Sequence, residues 1–412
     1  MTEFRDVILD ACLHCYSYDV QFEGTRGSYM YELVERLPDK EFYFDQVLQS
    51  LRNDGDDWDV AQRFHFAACM ASDNREGAKR AMYDAFDPGP KQGWHIAIEF
   101  LDLDGLKGLI FAAEKLGHLL VVGSDEIDPG WLLSRSFEAF GEQPTWDALV
   151  EVGQGNPAVE AFRIFAWNRH QAEADAGGQC RPAGASMTYE ELLSQPSNRP
   201  FVYRNWGEKA SVAELERSAR GLMAATDSKQ QFVHLQIFAE RQFPFGAGPI
   251  LQLTGCEENR VDFAAVRALK HLVDPAVRAF ALRMMETGAN RRGEAIDLIA
   301  KNFEPGDHAI ALKWFVTEED PYHRHSLGMD LVDFWKSHPD PETEIPMLNA
   351  LYEKGPCSFC RERAVRNLLE RNALTDELRA ECAWDANDEI RELVAQTTPV
   401  VRTETREKRV SE

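Results

Sequence analysis

Apolar residues recur three and four positions apart along almost the whole chain, and no stretch alternates apolar with polar residues strictly enough to predict a β-strand. The pattern therefore predicts an all-α protein. Segments of roughly 10 to 16 residues follow one another through short turns rich in Gly, Pro, Asp and Asn, as stacked antiparallel helical hairpins require. Several starts are marked by chemistry. Thr188 with Glu191, and Ser211 with Glu214, have the spacing in which each side chain satisfies the other residue's unpaired backbone N–H. Asn156-Pro157 and Asp274-Pro275 place a capping side chain before a proline that needs no N–H at the first helical position. Near the C-terminus one helix is expected from Pro356 to about Glu370 and another after Thr375, turning around Arg371 to Leu374.

The chain also repeats itself. PAVEAF at 157–162 returns as PAVRAF at 275–280, an offset of 118 residues or about three units of 39. A second alignment sets Val277, Arg278 and Ala281 on Cys360, Arg361 and Ala364, an offset of 83 or about two units of 41. The segment DPAVRAFALRMM, 274–285, resembles the second helix of a HEAT repeat, with RAVRNLL and NDEIRELV as weaker copies. That resemblance implies a right-handed α-solenoid of irregular HEAT-like hairpins, and a scaffold that recognises another macromolecule on its concave surface. It carries over no binding residue. The expected organisation is an acidic arm over 1–174, a loop or linker over 175–203, a second arm over 204–397 and a disordered tail over 398–412. The Gly-, Ala- and Pro-rich stretch 171–187 reads as a flexible loop, either dividing two arms or inserted at the surface.

Charge changes the picture of partners. Of 69 acidic and 45 basic residues, 32 acidic and only 15 basic fall within residues 1–180. Such a surface repels phosphate backbones and anionic membranes and suits a basic protein surface. No apolar run approaches the roughly 18 residues of a membrane span, and the first residues lack the basic start of a signal peptide, so a cytoplasmic location is expected. Eight cysteines in 412 residues are too few for a disulfide scaffold.

Candidate chemistry is sparse. Cys357, Cys360 and Cys382 could meet across the expected C-terminal hairpin, but zinc needs four ligands and no histidine follows His338. The alignment with Val277 makes Cys360 a core residue instead, while a redox role would draw on Cys357 near a helix start. Cys12 and Cys15 fall on the apolar stripe of the first helix. His323 and His325, two apart, point to different faces of a helix and could not chelate one ion. Two loops are candidate interaction sites: Asp19, Glu23 and Arg26, and the acidic run Asp54, Asp56, Asp57 and Asp59. Ordinary pairing with Arg26 and capping of the next helix is the favoured reading of the first, and the second lacks the Gly and Glu positions of a calcium loop. No nucleotide-binding, zinc-protease or nucleophile-elbow motif occurs, so neither metal nor cofactor is expected. The rivals to a scaffold are an enzyme or redox protein with a site assembled from distant residues, and an acidic mimic of nucleic acid.

Overall fold

The computed structural model describes residues 4–53, 55–87, 93–123, 127–177, 187–194, 199–287 and 291–396. Among them every regular element is helical, and no helix is long and apolar enough to cross a membrane. The chain divides into two compact units, Met1–Cys180 and Arg181–Glu412.

The first unit holds α1 (Arg5–Leu13), α2 (Val20–Glu23), α3 (Gly27–Glu35), α4 (Lys40–Ser50), α5 (Asp57–Ser72), α6 (Ala78–Ala85), α7 (Gly93–Asp104), α8 (Leu106–Val121), α9 (Gly130–Phe140), α10 (Glu142–Gly153) and α11 (Pro157–Gly177). Helix α5 is its hub, packing against α1, α3, α4, α6 and α7. Phe64, Phe86 and Phe100 interlock there with tilted and edge-to-face rings, the arrangement that aromatic quadrupoles favour. Helix α8 packs on α7 and α11 through backbone-close contacts. A Cβ at Gly117 would lie 1.9 Å from the Ala158 carbonyl oxygen, so only glycine permits the α8–α11 approach. Residues 171–177, expected to begin a loop, continue α11, because Gln171 through Ala176 are good helix formers or tolerated ones and the glycine run starts only at Gly177.

The second unit holds α12 (Tyr189–Ser194), α13 (Pro200–Lys209), α14 (Val212–Ala224), α15 (Ser228–Ile237), α16 (Gly248–Leu251), α17 (Asn259–Leu269), α18 (Pro275–Thr287), α19 (Arg292–Lys301), α20 (Asp307–Thr317), α21 (Pro321–Ser337), α22 (Pro341–Lys354), α23 (Ser358–Glu370), α24 (Asp376–Cys382) and α25 (Asp388–Gln396). Helices α13, α15, α17, α19, α21, α23 and α25 each pack on the next of that series, and α14, α16, α18, α20, α22 and α24 pack behind them, each against the helix that follows. The starts of the first series lie 28 to 37 residues apart, shorter than the 39 to 41 expected from the sequence echoes. The 83-residue offset from Val277 to Cys360 spans five helices, and so equates a helix of one layer with a helix of the other. Both residues are nevertheless buried, Val277 completely and Cys360 to 7% exposure, since each layer turns an apolar stripe toward the other.

Side chains staple consecutive turns along one edge of this unit. Arg241 donates to the Glu208 carbonyl at 2.7 Å, His271 bonds the Ala239 carbonyl, and Asn302 accepts from Asp274 N and donates to the carbonyls of Leu272 and Leu298. Arg278, of the Val-Arg pair, reaches from α18 to the first residue of α20. It grips Asp307 with two bonds of 2.5 and 2.7 Å. The anticipated caps form: Ser211 and Glu214 make a reciprocal capping box, Thr188 and Glu191 do the same, and Asp274 and Asn156 cap their proline-led helices.

Candidate functional site

The acidic and loop residues singled out by sequence are largely engaged within the first unit. Asp19 caps α2 by accepting from Gln21 N. Glu23, whose side chain is 1% exposed, pairs with Arg26 at 2.5 Å. Asp56 caps α5, and Asp59 faces α1, accepting from Cys15 N at 2.8 Å and meeting His14 Nδ1 at 2.8 Å. Asp57 is half-buried, and Asp54 lies outside the described residues. Of the three described aspartates of the run, Asp56 is exposed, while Asp57 and Asp59 are half-buried and Asp59 is turned toward the backbone N–H it satisfies.

A groove of about 300 Å³ crosses α13, α15, α17 and α19 of the second unit, and a neighbouring hollow shares its residues Phe232 and Arg260. Its lining is cationic and aromatic: Arg204, Arg260, Arg267 and Lys270 with Phe232 and Phe263, against the single carboxylate of Glu294. Arg260 lies 4.6 Å from the centre of the Phe232 ring, and beside the groove Arg291, paired with Asp262, lies 4.6 Å from the centre of the Phe263 ring, both cation–π contacts. Arg267 is paired with Glu240 and Lys270 with Asp297. Arg204 instead donates to the neutral Gln236 at 2.8 Å, and burial together with nearby Arg267 pushes its guanidinium below its ordinary value. Arg291 has a buried Nη2 with no acceptor among the described residues. Beyond Glu294, whose carboxyl is raised by burial, Asp330 is raised to about 7 by burial and by Asp297. Sequence reading missed this groove, because its cations come from α13 (Arg204) and from α17 and its C-cap (Arg260, Arg267 and Lys270), with the aromatic Phe232 supplied by α15 between them, and they form no continuous run.

The second cluster joins α21 to the start of α23. His325, Cys357 and Cys360 bring their ligand atoms within 4.8 Å of one another, and Cys360 Sγ lies 3.6 Å from His325 Nδ1. Cys357 is the N-cap of α23 and Cys360 stands in its first turn, so both thiols face the same side. The chain reaches them by a tight turn: a Cβ at Gly355 would stand 2.4 Å from the Leu351 carbonyl oxygen. Arg324 holds that turn on α21 by donating to the carbonyls of Lys354 and Glu318.

This corrects the sequence expectation in two respects. Cys382 does not join the other two thiols; it is fully buried and hydrogen-bonds the Tyr352 hydroxyl, because α23 folds back mainly onto α22 rather than onto α24. The third member is a histidine from the preceding pair of helices, His325, while its neighbour His323 faces Asp320 at 3.6 Å. The two histidines do point apart as expected, and it is the one before the cysteines in sequence, His325, that meets them. Cys12 is buried as the helical stripe predicted, with its thiol pushed up to about 12 by burial.

Compared with known proteins, the chain matches no family model, no curated protein and no solved structure.

Proposed function

We propose that the chain is a non-catalytic scaffold, a right-handed α-solenoid of HEAT-like hairpins in its second unit, that binds an acidic segment of a protein partner in the groove across α13, α15, α17 and α19. The observation that carries this reading is Arg204: a half-buried guanidinium hydrogen-bonded to an amide, in a groove with four cations and one carboxylate. A carboxylate from a partner would meet Arg204 and Arg260 as charge-assisted bonds in partly desolvated surroundings, where such bonds are strongest. Phe232 and Phe263 supply apolar area between them, the aromatic and arginine composition that dominates binding energy at interfaces. The successive packing of this helix series gives the groove a continuous, rigid floor.

The excess negative charge of residues 1–180 belongs to the other unit, and there the basic partner surface inferred from composition is retained as part of the same proposal. Duplex DNA is not a partner for that unit, since phosphate contacts need Lys and Arg.

Display of a random peptide library against the full chain tests the groove. Peptides carrying two or more Asp or Glu beside an aromatic residue should be enriched. Arg204→Glu and Arg260→Glu should each weaken their binding about tenfold or more, while Lys336→Glu, exposed elsewhere on the second unit, should not. Enrichment of basic or neutral peptides, or indifference to both substitutions, would defeat the reading.

A further inference from the structure

We propose that His325, Cys357 and Cys360 form a zinc site of two thiolates and one imidazole, with a fourth position left to water, that ties α21 to the α22–α23 turn. The inference does not rest on the groove or on the scaffold reading.

The first support is metric. Tetrahedral zinc, with bonds of about 2.3 Å to sulfur and about 2.05 Å to nitrogen, holds a sulfur and a nitrogen ligand about 3.6 Å apart and two sulfurs about 3.8 Å apart. The structure has Cys360 Sγ and His325 Nδ1 at 3.6 Å, and all three ligand atoms within 4.8 Å. A metal could enter with side-chain adjustments of less than an ångström or so, on the order of thermal amplitude.

The second support is electrostatic. Zinc takes cysteine as thiolate, and Cys357 and Cys360 occupy the N-cap and first turn of a 13-residue helix, where the helix dipole favours negative charge. Both are buried, Cys357 to 5% and Cys360 to 7% exposure, so two thiolates there require a compensating cation. One zinc ion cancels both charges. Two sulfurs and an imidazole select zinc over calcium or magnesium, which seek oxygen.

The third is topological. His325 stands 32 residues before Cys357, on a different helix, so the metal would close a long loop and its binding energy would add to the stability of the pairing between α21 and α23. Among the described residues no further His, Cys, Asp or Glu joins the three. Three protein ligands with one open position is the arrangement that lets a small exogenous ligand reach the ion.

The test uses the full chain, purified without an affinity tag and under reductant, then equilibrated with zinc chloride and desalted. Elemental analysis should find about one zinc per chain, and replacement with cobalt should give the thiolate charge-transfer band and the intense visible bands of a tetrahedral site. Zinc and both bands should be lost in Cys357→Ser with Cys360→Ser and fall sharply in His325→Ala, and persist in Cys256→Ser, whose thiol lies elsewhere. Should the double variant fail to fold, chelator competition on the unaltered chain keeps the test decisive: a metal-free chain should melt lower, and added zinc should restore it. The inference is overturned if the reduced chain takes up no zinc and shows no cobalt bands. It is equally overturned if the double variant retains the metal, or if intact mass shows the pair missing two hydrogens as a Cys357–Cys360 disulfide that persists under reductant.

Discussion

Replacing Arg278 by methionine isolates one of the bonds that tie successive helix pairs together. The methionine keeps most of the apolar stem and removes only the guanidinium. Asp307, whose side chain is 1% exposed, then loses two of its bonds and retains the backbone N–H of Glu304 at 2.8 Å. Arg278 also releases the Asn302 carbonyl it meets at 3.1 Å. Breaking a buried pair from one side costs about 3–5 kcal/mol, because the remaining charge is left desolvated. That is a large part of the 5–15 kcal/mol that typically holds a domain together. Hydrogen exchange read by mass spectrometry on peptides from α18 and α20 should therefore show protection lowered by two to four orders of magnitude, the equivalent of about 3–5 kcal/mol. Removing the stranded charge as well, in Arg278→Met with Asp307→Leu, should recover part of the loss. A single variant whose exchange changes by less than about tenfold, or a double variant less protected than the single, would refute the assignment of the cost to a buried unpaired carboxylate.

His234, 5% exposed beside Ser218 Oγ at 3.1 Å, has its value lowered to about 4 by burial, so the unfolded chain binds more protons below pH 6.5. Stability should fall by about 2 kcal/mol between pH 7 and pH 5 from this group alone, and urea titration of His234→Gln should lack that component. Asp330, raised to about 7, acts in the opposite sense: its protonated form is favoured in the fold, so stability contributed below that value is lost as pH rises through it. Asp330→Asn should raise the melting temperature at pH 8, by the equivalent of about 2 kcal/mol, and do little at pH 4. Gly117→Ala should destabilise the first unit by about 3 kcal/mol, since the new methyl would sit 1.9 Å from a backbone oxygen that cannot yield alone; unchanged melting would mean α8 and α11 can separate freely.

Local rules were legible in the sequence wherever the cause was local. Ser211 with Glu214 and Thr188 with Glu191 are decided within four residues and form as read, and α24 begins directly after Thr375 as expected, with Thr375 accepting from Leu378 N. The turn after α23 falls at Arg371 to Leu374 as expected, with Asn372 at φ 54°, a left-handed conformation that asparagine tolerates. What failed was the inference from one helix to its partner. Two helices with the same apolar stripe look alike in sequence whichever layer they occupy, so the likeness of Val277 to Cys360 predicted burial correctly and spacing wrongly. For the same reason sequence adjacency allows Cys382 to meet Cys360 across an α23–α24 hairpin, whereas α23 packs mainly on α22 and Cys382 is buried apart from it. The groove was invisible because Arg204 of α13 and Arg260 and Arg267 of α17 acquire a common setting only when both helices pack on α15 between them. His325 is distinguished from His323 by nothing in the sequence except the side of the helix on which it falls.

The packing order has a consequence for how the chain is made. In the second unit every principal packing partner of a helix lies no more than two helices away in sequence, so contacts can close as soon as each pair leaves the ribosome. Folding there can proceed vectorially, with the earlier helices native while α25 is still being synthesised. The first unit lacks that freedom at α8, whose broadest face is covered by α11, the last helix of its unit. Until α11 emerges, the part of α8 that α11 covers has no partner, and an apolar stretch left open in this way on a nascent chain is where a chaperone would act.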